Sequence, residues 1–319
     1  MATSVQSTTW RNTTSEEFRR WGKAISDGVR AVGLVQTADT GQINWATVAA
    51  PTSGDAVGTV QGYEIWRFND ALQATAPIFM KIEYGARVAA EFPEMWVTLG
   101  RGSDGAGNVT GILAPRRAGT ARSSTWGTTG FRGGVIEPIY ISSDGSSLCI
   151  APRTGALSAG SSVHVPTFVI DRSRDSSGAA TAAGGVILTA GDDAVASTAS
   201  VSAASMHAWT YAGDFTRGDV PAVSPRYVNA PTEITAAASL ANGDKAPVFP
   251  YVVCVPNHEP WQVLAAVAVM AGDCANGPFT ANTLGRIRNY RALPVNEGRN
   301  RWMSGAAPGY SGLCILWEE

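Results

Sequence analysis

The sequence predicts a mainly β protein with one N-terminal α-helix: a small α+β N-terminal domain followed by a β-sandwich-like C-terminal region. Three observations lead there. The stretch from Gln36 to Gly85 alternates turn clusters with short aromatic and β-branched runs, the pattern of strands separated by tight turns. Glycine reaches 35 of 319 residues, above the average of about 7%. Helical periodicity is convincing in one segment only, near the N-terminus.

Taken in order, residues 1–13 form a polar, Ser/Thr-rich arm whose one large apolar residue is Trp10. Alone, such a segment buries too little surface to offset its ordering entropy. Deleting it is expected to weaken assembly and leave the fold intact. The helix follows. Thr14 and Glu17 have capping-box spacing, with Ser15 as an alternative cap, and Glu16 and Glu17 suit the positive helix start. Phe18, Trp21, Ile25, Val29 and Val32 recur at three- and four-residue spacing, and Gly33 is placed to stop the helix.

Ile43, Trp45 and Val48 then read as a strand, as do Tyr63 to Phe68, Ile78 to Tyr84, and the apolar run within Val88 to Gly100. The glycine density from Gly100 to Asn108 predicts a loop. Val109 to Ala114 closes a helix-plus-sheet domain covering 14–115. Residues 116–134 are Gly/Thr/Ser/Arg-rich and read as a linker or surface loop. A β-rich domain covers 135–319, with strands at Val135 to Ile141, Ser147 to Ala151, Val163 to Ile170, Pro247 to Pro256, Ile287 to Leu293 and Leu313 to Trp317. An Ala/Ser/Gly-rich excursion occupies 172–206. Trp261 to Ala271 fits either a strand or a buried helix.

Charged residues make up 16% of the chain, against about 25% in an average soluble domain. That suits a turn-rich β protein, and equally a subunit whose surface is covered by neighbours. The net charge of −2 offers no general attraction to nucleic acid or to an anionic membrane, and neither is expected as a partner. No apolar run reaches 18 residues, and the N-terminus lacks the pattern of a secretory signal. Cys149, Cys254, Cys274 and Cys314 form no C-x-x-C pair. Free buried thiols are the default, with a Cys254–Cys274 disulfide as the alternative.

Motifs of chemistry are missing from the sequence: there is no phosphate loop and no nucleophile elbow. His164, His207 and His258 are isolated, Asp192 and Asp193 are adjacent, and His258–Glu259 with Asp273 is a weak acid–base combination. No catalytic, metal or cofactor-binding residue is assigned, and no cofactor is expected. Arg286, Arg288, Arg291, Arg299 and Arg301, interleaved with Tyr290 and Trp302, form the one local basic concentration. The sharp reading is a nucleic-acid strip. The favoured one is a set of interface arginines on a strand pair. The expected interface residues are therefore Trp10, Arg286, Arg288, Arg291, Arg299, Arg301 and Trp302.

The run SEEFRRWGKAISDGVRAVGLVQTADTGQINWATV, followed by GYEIWRFNDALQATAPIFMKIEYG, resembles the N-terminal part of structural proteins of tailed bacteriophages and prophages. These proteins typically occur among neck and tail genes. The resemblance covers about 14–112, including the Trp96–Val97–Thr98 segment and the Gly-rich loop after it. From Val135 onward only a general β-rich character is shared. The resemblance implies a non-enzymatic virion structural protein, made in the host cytoplasm: a neck or tail component such as a fibre, collar or baseplate-associated subunit. Its implied partners are itself, as a trimer or a hexamer-related homo-oligomer, and other virion proteins. The rivals are a capsid decoration protein, a receptor-binding module that takes a host-surface glycan, and a tail-associated glycan hydrolase.

Overall fold

The computed structural model describes residues 2–9, 14–52, 54–56, 58–86, 93–118, 136–151, 167–175, 177–190, 204–210, 248–255, 258–271, 278–283, 286–292 and 311–317. The protein is mainly β, with a single α-helix among the described residues, near the N-terminus. Helix α1 (Ser15–Ala31) begins as the sequence predicts. The Thr14 hydroxyl accepts from the Glu17 N–H, and the Glu17 carboxylate accepts from the Thr14 N–H. Phe18, Trp21, Ile25, Val29 and Val32 are all buried. At the far end the Val32 N–H donates to the Gly28 carbonyl and the Gly33 N–H to the Arg30 carbonyl, and Gly33 takes a φ of 95° that disfavours a side chain.

The strands form three antiparallel sheets. Sheet A has the order β1 (Ala2–Thr9), β7 (Ile136–Ser143), β8 (Ser147–Ala151), β9 (Thr167–Arg174), β10 (Ala180–Ala190), β11 (Ala204–Thr210). Sheet B has the order β2 (Val35–Gln36), β3 (Val60–Arg67), β4 (Phe79–Ala86), β5 (Pro93–Ser103), β6 (Val109–Ala118). Sheet C has the order β12 (Val248–Val255), β13 (His258–Ala271), β16 (Ser311–Leu316), β15 (Arg286–Ala292), β14 (Pro278–Thr283). Residues 261–271, ambiguous in sequence, belong to strand β13.

Sheet A is the middle layer. Side chains alternate along its strands, and the alternation divides its residues between two covered faces. Ile139, Ile141, Leu148, Ile150, Phe168, Ile170 and Ile187 join α1 and sheet B in one core. Tyr140 faces the other way and meets Trp317, beyond β16, edge-on at 5.5 Å between centroids. β13 lies against β8 and β9 on that side. Two-sided burial explains why all five residues of β8 are buried, with no polar face. On the first side, β6 approaches β10 and β11, and α1 fills the space beside β1 and β7.

Several expectations change in this arrangement. The N-terminal segment is a strand over Ala2–Thr9, paired residue by residue with β7 from Ala2↔Ser143 to Thr9↔Ile136. Ser4 is buried, and Gln6 and Ile141 flank Gly28 of α1. Loss of this segment would uncover β7 and part of the helix, so it is more than an appendage. The reason is long-range pairing, which local polarity does not encode. Ile43, Trp45 and Val48 form no strand. Asn44 turns the chain, accepting from the N–H groups of Ala46, Thr47 and Val48, and the segment becomes a strap over α1.

The loop expected over 100–108 is shorter, because β5 runs to Ser103. Gly100 lies where a Cβ would overlap Val109 and Thr110 of β6, and the pairing changes register there. Its glycine serves close strand approach rather than a loop. Strands also occupy parts of the predicted linker and excursion: 116–118 end β6, 172–174 end β9, and 180–190 form β10.

Candidate functional site

Of the sequence-predicted interface residues, Trp10, Arg299, Arg301 and Trp302 lie outside the described residues. Arg286, Arg288 and Arg291 lie on β15, in register with Thr283, Ala281 and Pro278 of β14. The strand-pair setting agrees with the sequence reading, but alternation divides the set. Arg286 and Arg288 share the parity of buried Tyr290, and Arg291 shares that of exposed Asn289. β15 lies between β14 and β16, so it has no free backbone edge. The three arginines do not make one strip.

The strongest polar site was not singled out in the sequence. Arg172, near the end of β9, is 1% exposed. Its guanidinium donates to both Asp70 carboxylate oxygens at 2.6 and 3.0 Å, to the Ala76 carbonyl at 2.7 Å and to Gln73 at 3.4 Å. Asp70 and Ala76 flank, and Gln73 lies within, a short 3-10 helix, Ala71–Ala74, between β3 and β4. Phe68 lies under the guanidinium at 5.5 Å. A planar fork with several fixed acceptors is what a buried arginine needs. The result is a clamp between sheet A and sheet B.

Two residues on, Arg174 pairs with Asp171 at 2.9 Å and with Asp144 at 3.0 Å. Asp144 also accepts from the N–H and hydroxyl groups of Ser146 and Ser147, which shapes the turn between β7 and β8. Burial by itself would raise the Asp144 pKa. The Arg174 charge and the serine donors outweigh that and hold the carboxyl below its ordinary value.

A second buried acid lies between α1 and sheet B. Glu64 on β3 is 1% exposed and is met by donors from three elements. Ser26 of α1 donates at 2.7 Å, Trp45 Nε1 of the strap at 3.1 Å, and Tyr84 of β4 at 2.8 Å. Burial pushes the Glu64 pKa above its ordinary value, and the donors draw it partly back. Trp45 packs edge-on against Tyr84 at 4.8 Å and lies directly over Gly22, where a Cβ would overlap its ring. Arg19 donates to the Val48 carbonyl and the Ala50 N–H donates to Ser15 at the far end of the strap, while the Ile43 N–H donates to the Tyr63 carbonyl at its start.

The Gly-rich turn after β5 is braced in the same manner. Asp39 accepts from Ser103 at 2.9 Å and from the Gly107 N–H at 3.2 Å. Tyr63 donates to the Thr40 carbonyl, and the Thr40 N–H donates to the Gly105 carbonyl. The Asp39–Thr40–Gly41 cluster is thus the turn the sequence predicts, and its carboxylate organises a second loop.

These sites hold layers and loops in fixed positions. Among the described residues no group of three or more His, Cys, Asp or Glu side chains could hold a metal ion. His258 and Glu259 fall on β13, while Asp192, Asp193, Asp273 and His164 lie outside the described residues. Cys149 is a buried free thiol whose pKa is raised by burial. Among the described residues no helix is long and apolar enough to cross a membrane. Among the described residues Trp21, Trp66, Trp96 and Trp317 are buried and Trp45 is half-buried. Comparison with protein families, with curated proteins and with solved structures finds no match to this chain.

Proposed function

We propose that the protein is a non-enzymatic virion structural protein of a tailed phage, a neck or tail component that acts by self-assembly and by docking to neighbouring subunits. One observation carries the reading. The α1–sheet B layer, whose sequence over 14–112 resembles neck and tail structural proteins, is held to sheet A by the buried Arg172–Asp70 pair. A subunit in a symmetric particle must present its contact patches in constant relative positions. Buried ties between layers supply that rigidity. The low charge of the chain suits surfaces that are covered in an assembly.

Imaging of intact particles with an antibody raised against this chain tests the proposal. Label at the neck or tail is the expected result. Label over the head surface would favour a capsid decoration protein, and unlabelled particles would remove the virion reading altogether.

A further inference from the structure

Sheet edges usually carry devices that stop other strands from adding to them: charge, proline, bulges or short length. The edges of sheets B and C carry such devices. β2 has two residues, and β6 contains Pro115, Arg116 and Arg117 and pairs with breaks in register. β12 has Pro250 at a register break, and β14 is six residues beginning with Pro278. Sheet A differs. β1 reads ATSVQSTT and β11 reads ASMHAWT, with no Asp, Glu, Lys, Arg or Pro in either. Both pair with their inner neighbours without a break in register. Among the described residues neither has a strand on its outer side.

We propose that these two edges are one interface: β1 of one copy pairs with β11 of the next, so that sheet A continues from subunit to subunit around a closed ring. This rests on the reading of the protein as a self-assembling subunit and names the surface used. Three features select β11 of a second copy as the occupant. Sheet A has six strands, each antiparallel to its neighbour, so its two outer strands run in opposite directions. Joining them head to tail therefore continues the antiparallel pattern without reversal. The strands match in length, at 8 and 7 residues. A two-fold pairing of β1 with β1 would leave both β11 edges open, whereas head-to-tail joining closes both edges of every copy. Val5, near the middle of β1, is 47% exposed and lies on the sheet face of its register partner Tyr140.

The full-length chain is tested by native mass spectrometry and by light scattering after gel filtration. A single closed stoichiometry is expected. Val5→Lys places a charge in the middle of the edge and should raise the dissociation constant at least tenfold, with an unchanged thermal midpoint showing that the fold is kept. Cysteine pairing supplies a second test that does not depend on Val5→Lys folding. Met206 and Ala208 occupy register positions of β11 on the same sheet face as Val5. Copies carrying Val5→Cys, mixed with copies carrying Met206→Cys or Ala208→Cys, should yield β1–β11 linked peptides on oxidation. A Val5–Val5 link as the main product would overturn the ring interface, as would an oligomer indifferent to Val5→Lys and linked elsewhere. Either result leaves the structural role standing. A chain that is monomeric at every concentration and missing from particles would remove both.

Discussion

Glu64 and Arg172 are both about 1% exposed, yet the protein accommodates them in opposite ways. Arg172 meets a carboxylate, and its charge is balanced across two layers by Asp70. The hydrogen bonds found around Glu64 come from neutral donors: a serine, a tryptophan and a tyrosine. The first site sets opposite charges side by side. The second carries a charge that burial opposes, so its carboxyl is held above the ordinary range. Buried charge is thus not one kind of interaction. At the boundary between sheets A and B it works as a clamp, and beneath the strap it serves as a shared acceptor that gathers three elements.

The largest expected effect is at the clamp. Arg172→Met leaves Asp70 without its main partner and should lower unfolding free energy by about 3–5 kcal/mol, read as a fall in the urea midpoint. A loss below about 1 kcal/mol would mean that the pair is not a clamp. Next comes Gly22→Ala. Its Cβ would overlap the Trp45 ring, and the cost of overpacking should be about 1–3 kcal/mol. Displacement of Trp45 from Glu64 should appear as a shift in tryptophan emission and as faster proteolysis of the strap.

Glu64→Gln should have a smaller effect, about 1 kcal/mol near neutral pH, but a distinctive pH profile. A raised pKa means that the wild-type contribution is complete at low pH and fades as pH climbs through the folded-state value. The stability of the wild type relative to Glu64→Gln should therefore fall with rising pH. Asp144→Asn should show the opposite sign, with the smallest amplitude. The Asp144 pKa is lowered overall, because Arg174 and the serine donors outweigh burial. Its contribution is present above the ordinary aspartate range and is lost as pH falls through the folded value. Parallel pH slopes for the two variants, measured by thermal unfolding, would erase the distinction drawn between the sites.

Local features were legible in the sequence, and α1 is the clearest case. Its cap, its apolar face and its stop at Gly33 are all found as predicted. Strands β3, β4, β8 and β16 were likewise visible as short β-branched and aromatic runs between turns. The failures share one cause. Trp45 and its neighbours look like a strand because aromatic and β-branched residues sit between turns, but Asn44 turns the chain and Trp45 packs on Phe18 of the helix and bonds Glu64. The N-terminal strand looks like an arm because its pairing partner, β7, lies more than a hundred residues away. Arg172 gave no signal at all, since an arginine ending a strand is ordinary until the Asp70 turn is brought against it.

Local sequence was enough to give the class of the fold and the position and boundaries of its one described helix. These depend on propensity, capping and periodicity, which act over a few residues. That sheet A is the middle layer, that residues 2–9 form one of its edges, and that a buried arginine ties it to the layer above emerge from long-range packing. Those facts depend on which distant segments meet. The cost of closing long loops is repaid there by pairing and burial that no local window contains.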